Sequence, residues 1–205
     1  MRRQLLNFAV WTTGGIDDKY RPADKLIIMN TSHTELLPED FSGTSRVWIY
    51  QAHRLFMLSE ALAIEEMLEN FVRDWKTHGT PVKGYANLFY GQFIVLMADE
   101  TATGVSGCST DSSVHLIKQI EQHFQVQLFD RLNLAFYIEG KVQMVPMAQL
   151  PYALENGLIS PDALYFNNIV QTKEELKDKW LIPLRDSWLA NRYLQPAGKV
   201  SLGGK

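Results

Sequence analysis

Six consecutive apolar residues at positions 93–98 constrain the fold of this chain more than any other segment. The run reads Phe-Ile-Val-Leu-Met-Ala and contains no polar alternation. A strand with one solvated face alternates apolar and polar residues, whereas a strand covered on both faces is continuously apolar. The run therefore predicts a strand in the interior of a sheet.

The segments around this run alternate between strand and helix patterns. β-Branched and aromatic runs bounded by turn residues predict strands, and apolar residues at three- and four-residue spacing predict helices. The predicted order is a strand at 46–51, a helix at 60–77, strands at 82–90 and 93–98, a helix at 112–124 and a strand at 132–138. This order predicts an α+β domain with a ferredoxin-like split βαβ core, βαββαβ. An open three-layer α/β sheet is the alternative.

Two further patterns bear on this topology. A ferredoxin-like sheet places its first and third strands at the centre, and segments 47–50 and 93–98 are the two most uniformly apolar strand segments. Beyond residue 138 the pattern adds a hairpin strand at 142–146, a helix at 147–156, a strand at 164–170 and C-terminal helices. The capping box Thr172-x-x-Glu175 opens the last helical region, and Pro183 is expected to kink or break it.

The length of 205 residues predicts one domain with extensions. Residues 1–40 are weakly patterned, so we expect an N-terminal appendage, and the second methionine, Met29, offers an alternative true start within it. Residues 41–192 are predicted to form the single α+β domain. The Gly-rich residues 193–205 are predicted to form a flexible tail.

Composition narrows the functional classes. The formal charge of −3 and a pI near 6.0 provide no broad positive field for phosphates, so nucleic acid is not an expected partner. The N-terminal apolar run at 5–11 is followed by Asp17-Asp18 rather than a cleavage site, and no segment has the length of a membrane span. The single cysteine, Cys108, excludes an intrachain disulfide and is typical of the reducing cytoplasm.

The segment at 106–113, Ser-Gly-Cys-Ser-Thr-Asp-Ser-Ser, separates the predicted buried strand from a predicted helix. Small residues let backbone N–H groups converge, and a helix N-terminus carries partial positive charge, so such a loop can hold an anion or stabilise a thiolate. The candidate ligand-binding residues are therefore Ser106, Gly107, Ser109, Asp111, Ser112 and Ser113. In the structural alternative, Asp111 and the serines only cap the helix and Cys108 is a small buried residue.

A second hypothesis makes Cys108 the nucleophile of a thiol-dependent enzyme. The Ser112 and Ser113 amides would hold an oxyanion, and His78 or Asp99 would transfer protons. His78 precedes Gly79 at the end of the predicted helix 60–77, so helix termination also explains that pair.

A third hypothesis is a nucleotide- or Mg-dependent hydrolase. Asp99 and Glu100 follow the apolar run as the two acids of a Walker B segment follow their strand, where the aspartate holds magnesium through water and the glutamate positions the attacking water. Together with Asp111, they would form the hydrolytic site. The sequence contains no G-x-x-x-x-G-K-[ST] motif to hold the phosphates. The histidines lack HxH or HxxxH spacing, so no metal site is predicted and no cofactor is assigned.

Several short motifs between residues 37 and 192 carry a family resemblance. They are Val47-Trp48-Ile49-Tyr50-Gln51, Phe71-x-x-x-Trp75-x-x-His78-Gly79, Phe93-Ile94 running to Asp99-Glu100, the 106–113 segment, Leu128-Phe129-Asp130-Arg131 and Pro183-Leu184-x-Asp186-Ser187-Trp188-Leu189. Together they resemble a small family of uncharacterised bacterial proteins, mostly from Bacteroidetes, that are often labelled ABC transporter ATPases. The label implies ATP hydrolysis.

The sequence favours a noncatalytic cytoplasmic domain that binds an unknown protein partner or a small anionic ligand at residues 106–113. The thiol enzyme and the hydrolase are the alternatives. Self-association is also open, because an edge strand or the final helices could pair across a two-fold axis.

Overall fold

The computed structural model describes residues 32–101 and 107–194, except for the side chains of residues 107–109. The strands are β1 Arg46–Gln51, β2 Lys76–Thr77, β3 Thr80–Pro81, β4 Lys83–Phe89, β5 Phe93–Asp99, β6 Asn133–Ile138, β7 Lys141–Pro146, β8 Leu164–Phe166 and β9 Leu181–Pro183. The α-helices are α1 Leu58–Asp74, α2 Gly107–Phe124, α3 Leu150–Glu155, α4 Lys173–Lys179 and α5 Ala190–Tyr193. Short 3-10 turns occupy His33–Leu36, Met147–Gln149 and Leu184–Asp186.

The first sheet has the order β1-β5-β4 and is antiparallel throughout. Strand β5 lies at its centre, and all seven of its residues are buried. Alternate β5 side chains face opposite layers: Ile94 and Leu96 pack with α1 and α2, while Val95 and Met97 pack toward the second sheet. The predicted interior strand is therefore confirmed, and its continuous apolar sequence follows from cover on both faces.

The second sheet has the order β7-β6-β8-β9 and is also antiparallel. One face packs on the first sheet through a core that includes Phe93, Phe166 and Trp180. The other face is covered by α3 and by residues near the C-terminal end of the described chain, including Leu150 and Leu189. The resulting layers are two helices, the first sheet, the second sheet and a further helical cover.

These layers confirm the α+β class but not the ferredoxin-like topology. The strands β1, β5 and β4 lie in the order that a ferredoxin-like sheet gives its first three strands. In that topology the fourth strand would pair with β1, but β6 lies in the second sheet instead. Strand β1 is thus an edge of its sheet rather than a central strand, and the alternative of a single three-layer sheet is not observed either.

Helix α1 ends at Asp74, three residues before the predicted end at Thr77. Strands β2 and β3 follow as a short hairpin, with Thr77 opposite Thr80. The two residues between them, His78 and Gly79, have φ values of 48° and 83°. Positive φ at both positions is the requirement of a type I′ two-residue hairpin turn, so His78-Gly79 forms that turn instead of a helix C-terminus.

The predicted N-terminal appendage is packed into the fold from His33 onward. Leu37 and Phe41 belong to the core between the two sheets. The His33 ring is buried, meets Trp180 edge-on, and its Nε2 donates to the Leu176 carbonyl oxygen at 3.0 Å. Burial lowers the pKa of His33, opposed by the bonds to backbone carbonyls. Residues 1–31 lie outside the described residues.

The C-terminal part breaks into shorter elements than the sequence predicts. Thr172 caps α4 by accepting from the Glu175 amide at 3.2 Å, as the capping motif requires. Pro183 ends β9 rather than kinking a helix. The end of the predicted flexible tail, residues 195–205, lies outside the described residues. Among the described residues, no helix is long and apolar enough to cross a membrane.

A close approach to Trp75 restricts one position of β4 to glycine. A Cβ atom on Gly84 would lie 2.6 Å from Cε3 of Trp75, whose side chain is buried in the described core. We expect Gly84→Ala to lower the free energy of unfolding by about 1–3 kcal/mol, because the ring must shift in a packed interior. Urea unfolding followed by circular dichroism measures this. The matched control is Gly43→Ala, where the nearest atom is Glu174 Cβ at an ordinary 3.7 Å; equal losses in both variants would contradict the prediction.

Candidate functional site

The segment predicted as an anion-binding loop is helical over most of its length. Helix α2 begins at Gly107, so Asp111 lies in its second turn and does not cap it. The first four N–H groups of an α-helix lack partners within the helix, and the Ser112 and Ser113 amides lie beyond these four. These two amides are therefore not placed to hold an oxyanion, contrary to the hypothesis of a thiol enzyme.

The other predicted residues of this segment are described only in part. Ser106 lies outside the described residues, and the side chains of Cys108 and Ser109 are likewise outside the description. Their backbones form the first turn of α2. The role of Cys108 as a nucleophile stays a prediction.

His78 lies at the exposed tip of the β2–β3 hairpin. Strand β2 contacts α2, so the hairpin lies beside that helix. The turn alone accounts for the position of His78, because His78 and Gly79 are the two residues of this hairpin turn.

Asp99 is a structural carboxylate at the end of β5. It accepts from the Thr101 hydroxyl at 2.7 Å, the Thr101 amide at 3.1 Å, the Ser42 amide at 3.4 Å and the Lys83 ammonium at 3.0 Å. The Thr101 hydroxyl bond and the Lys83 bond hold the pKa of Asp99 well below its usual range, against the effect of burial. The lone pairs of this carboxylate are occupied by the protein itself, which does not favour the predicted roles in proton transfer or magnesium binding.

Glu100 has a different environment, because it lies at the border of a cleft. Its carboxylate is 3.8 Å from the Arg46 guanidinium, and both side chains are more than a third exposed. Among the described residues, no three histidine, cysteine or acidic side chains form a group that could hold a metal ion.

The cleft lies between the outer edge of β1, residues 128–135 and residues 166–172, and its volume is about 810 Å³. It opens where β1 and the start of β6 belong to different sheets and therefore do not pair. No local sequence motif predicts this cleft, because it depends on the separation of the two sheets.

The edge of β1 that faces the cleft is bonded at its two ends. The Val47 amide donates to the Gln171 carbonyl at 2.8 Å, and the His53 amide donates to the Gln127 carbonyl at 3.2 Å. Backbone groups alternate sides along a strand, so Ile49 also directs its N–H and C=O away from β5. Among the described residues, neither group of Ile49 has a hydrogen-bond partner.

Aromatic and aliphatic side chains line the cleft. The Arg46 guanidinium lies 5.2 Å from the centre of the Trp48 ring, and the Tyr50 ring meets Phe129 edge-on at 5.5 Å. Four of the lining residues are large apolar side chains exposed by 38% or more: Phe129, Leu132, Ile169 and Trp188. Exposed apolar groups that converge on one concavity are typical of binding sites.

Tyr50 connects the cleft with one predicted ligand-binding residue. Burial raises the pKa of Tyr50, while the nearby Ser113 hydroxyl and the Arg131 guanidinium act in the opposite direction. Ser113 itself donates to the Thr110 carbonyl at 2.7 Å. Ser113 is buried next to Tyr50 and is not one of the residues that line the cleft.

A polar bridge holds one end of the cleft. The Gln51 side chain donates to the Asn133 carbonyl at 2.9 Å and accepts from the Asn168 amide nitrogen at 2.7 Å. The Trp180 indole then donates to the Asn168 side-chain oxygen at 2.9 Å. These hydrogen bonds connect β1 with Asn133 of β6 and with Asn168, which follows β8. They also connect this end of the cleft with Trp180 in the core.

The charged side chains of the cleft differ in how far they are neutralised. Asp130 accepts from the Leu132 amide at 2.8 Å and from the Asn133 side chain at 2.6 Å. Arg131 is exposed, and no carboxylate of the described residues lies within ion-pair distance of it. In the sequence, Arg131 stands only in the Leu128-Phe129-Asp130-Arg131 motif of the family resemblance, which assigns it no role. Its interest comes from its position in the cleft.

No family model, curated protein or solved structure matches this chain, so the family resemblance stays a prediction.

Proposed function

We propose that this protein is a binding domain that holds an anionic ligand or partner segment in the cleft between its two sheets. The observation that carries the proposal is the convergence of exposed apolar side chains and one unneutralised arginine, Arg131, on the same concavity. The proposal keeps the function class favoured by the sequence and moves the site from the 106–113 segment to the cleft.

The size and lining of the cleft support this function. Sites for small ligands are concavities of about 300–1,000 Å³, lined by apolar and aromatic groups with a few polar groups that fix orientation. The cleft has a volume of about 810 Å³ and combines Trp48, Phe129 and Trp188 with the side chains of Asn168 and Gln171.

The charges around the cleft favour an anion. The Glu100 carboxylate is close to Arg46, and the Asp130 carboxylate is engaged by Leu132 and Asn133. Arg131 has no such partner among the described residues, so its guanidinium can donate to a carboxylate, sulfonate or phosphate.

Two matched fluorescent probes test the proposal. Anilinonaphthalene sulfonate carries an anion on an apolar body, and phenylnaphthylamine has the same rings without the sulfonate. We expect both to bind the native protein, and Arg131→Ala to weaken only the sulfonate probe, by about three- to fivefold, as an exposed charge pair is worth up to about 1 kcal/mol.

The control variants separate charge from shape. Arg73→Ala removes another exposed guanidinium, on α1 and outside the cleft, and is expected to leave both affinities unchanged. Phe129→Ala removes part of the apolar rim and is expected to weaken both probes. The proposal is overturned if neither probe binds the folded protein, or if Arg131→Ala and Arg73→Ala affect the sulfonate probe equally.

A further inference from the structure

We infer that the ligand of this cleft is an extended acidic peptide segment that adds to the first sheet as a strand beside β1. This inference rests on the proposed cleft function and names the class of its ligand. Three features of the described residues support it: an open strand edge, apolar groups on both sides of that edge, and an unneutralised arginine near its end.

The open edge supplies the main-chain bonds. Ile49 directs both backbone groups into the cleft, between the bonded ends at Val47 and His53. Val47 and Gln51 are four residue steps apart, about 13 Å at the rise of a β-strand, which matches an extended segment of about five residues. Peptides that extend a sheet bind through this kind of backbone ladder.

The middle of strand β1 lacks the usual protection of a sheet edge. Natural edge strands carry lysine, proline or bulges that discourage pairing. Residues 47–50 are Val-Trp-Ile-Tyr, a sequence typical of a central strand. The fourth strand of a ferredoxin-like sheet would cover this edge, but β6 lies in the other sheet. Residues 171–173 pair only with the start of β1, and the His53 amide bonds Gln127, so the middle of the edge around Ile49 stays open.

Side chains of an added strand would alternate between two apolar surfaces. Trp48 and Tyr50 pack on the helix side of the first sheet, and Phe129 lies beside Tyr50. Val47 and Ile49 pack on the side of the second sheet. A peptide with alternate apolar residues therefore meets an apolar surface on at least one face, which is how strand addition gains specificity.

The charges select an acidic segment. Arg131 lines the cleft together with Tyr50, which lies near the C-terminal end of β1, and it has no carboxylate partner among the described residues. A glutamate or aspartate of the added strand would supply that partner. A lysine at the same place would face the guanidinium and be rejected.

Five-residue peptides test the inference by NMR titration of the labelled full chain. The probes are acetylated, amidated peptides of alternating valine and threonine with a glutamate at the first or at the last position. We expect one of the two to shift the Ile49 amide resonance and to bind at least threefold more tightly than its lysine counterpart. Copies of this peptide that carry N-methyl groups on one edge or on the other test the hydrogen-bond ladder. We expect methylation of one edge to weaken binding tenfold or more, and methylation of the other edge to leave the affinity unchanged.

A pair of variants tests the same ladder from the protein side. Ile49→Pro removes an N–H that faces the cleft and keeps the bonds of β1 to β5, which an edge strand tolerates. Ile49→Val shortens the side chain similarly and keeps the N–H. We expect Ile49→Pro to bind the peptide at least tenfold more weakly than Ile49→Val, with melting temperatures showing that both variants fold.

The outcomes separate this inference from the proposed function. If the sulfonate probe binds in an Arg131-dependent manner but no peptide binds, strand addition is overturned and the cleft function stands. The same holds if both N-methylated peptides bind with equal affinity. Equal peptide affinities of folded Ile49→Pro and Ile49→Val also overturn it. If neither the sulfonate probe nor any peptide binds, both proposals fall. Should Ile49→Pro not fold, the N-methylated peptides decide alone.

Discussion

Replacing Trp180 by alanine should lower the free energy of unfolding by about 3–5 kcal/mol, the range for truncating a buried tryptophan. Trp180 is fully buried between the two sheets. Its ring lies within 5.1–5.7 Å of five other rings: those of His33, Phe89, Tyr90, Phe93 and Phe166. Since a small domain has a net stability of about 5–15 kcal/mol, this single change removes a large part of it.

Denaturant unfolding of three variants measures this effect and its origin. Trp180→Phe keeps an aromatic ring and removes the indole donor to Asn168, so it should cost less than Trp180→Ala. Trp188→Ala removes a tryptophan that is 38% exposed and should cost the least. If Trp180→Ala cost no more than Trp188→Ala, the centre of the core would lie elsewhere.

Trp180 also shows which features of this fold the sequence could not predict. The interior strand 93–98 was predictable, because a local apolar run directly reports cover on both faces. Trp180 and His33 become neighbours only through tertiary packing, so the pattern around His33 suggested an appendage. His78-Gly79 fitted a helix end equally well, and the hairpin that replaces it depends on how residues 75–82 pack.

The candidate site was less predictable than the fold. Small residues at 106–113 resembled a loop before a helix, but serine, threonine and aspartate are also accepted in a first helical turn, and α2 begins at Gly107. Ile49 and Arg131 lie in two motifs of the family resemblance, but no local pattern assigns either residue a role. Their proposed roles come from an edge strand whose middle has no neighbouring strand. Which sheet β6 joins is decided by long-range packing, and that choice creates the cleft.

The second large effect concerns Asp99, whose carboxylate receives hydrogen bonds from Thr101, Ser42 and Lys83. We expect Asp99→Asn to lower the free energy of unfolding by about 2 kcal/mol near pH 7, because hydrogen bonds to a charged group weaken when the charge is removed. The matched control is Asp40→Asn. Asp40 also pairs with Lys83, at 3.2 Å, but its side chain is 76% exposed, so its loss should stay below about 0.5 kcal/mol.

The pH dependence distinguishes this structural role of Asp99 from a catalytic one. Its pKa in the folded state is lower than the value of about 3.9 in an unfolded chain, so the unfolded state binds more protons in acid. The stabilisation is therefore complete above about pH 5 and is lost progressively as the pH falls below about 4. Asp99→Asn lacks this contribution. The difference in free energy of unfolding between the parent protein and Asp99→Asn should therefore shrink as the pH falls from 5 to 2. If the stability difference between the two proteins stayed constant over this range, the hydrogen bonds would not lower the pKa of Asp99 in the folded state. Asp99 would then again be a candidate for proton transfer.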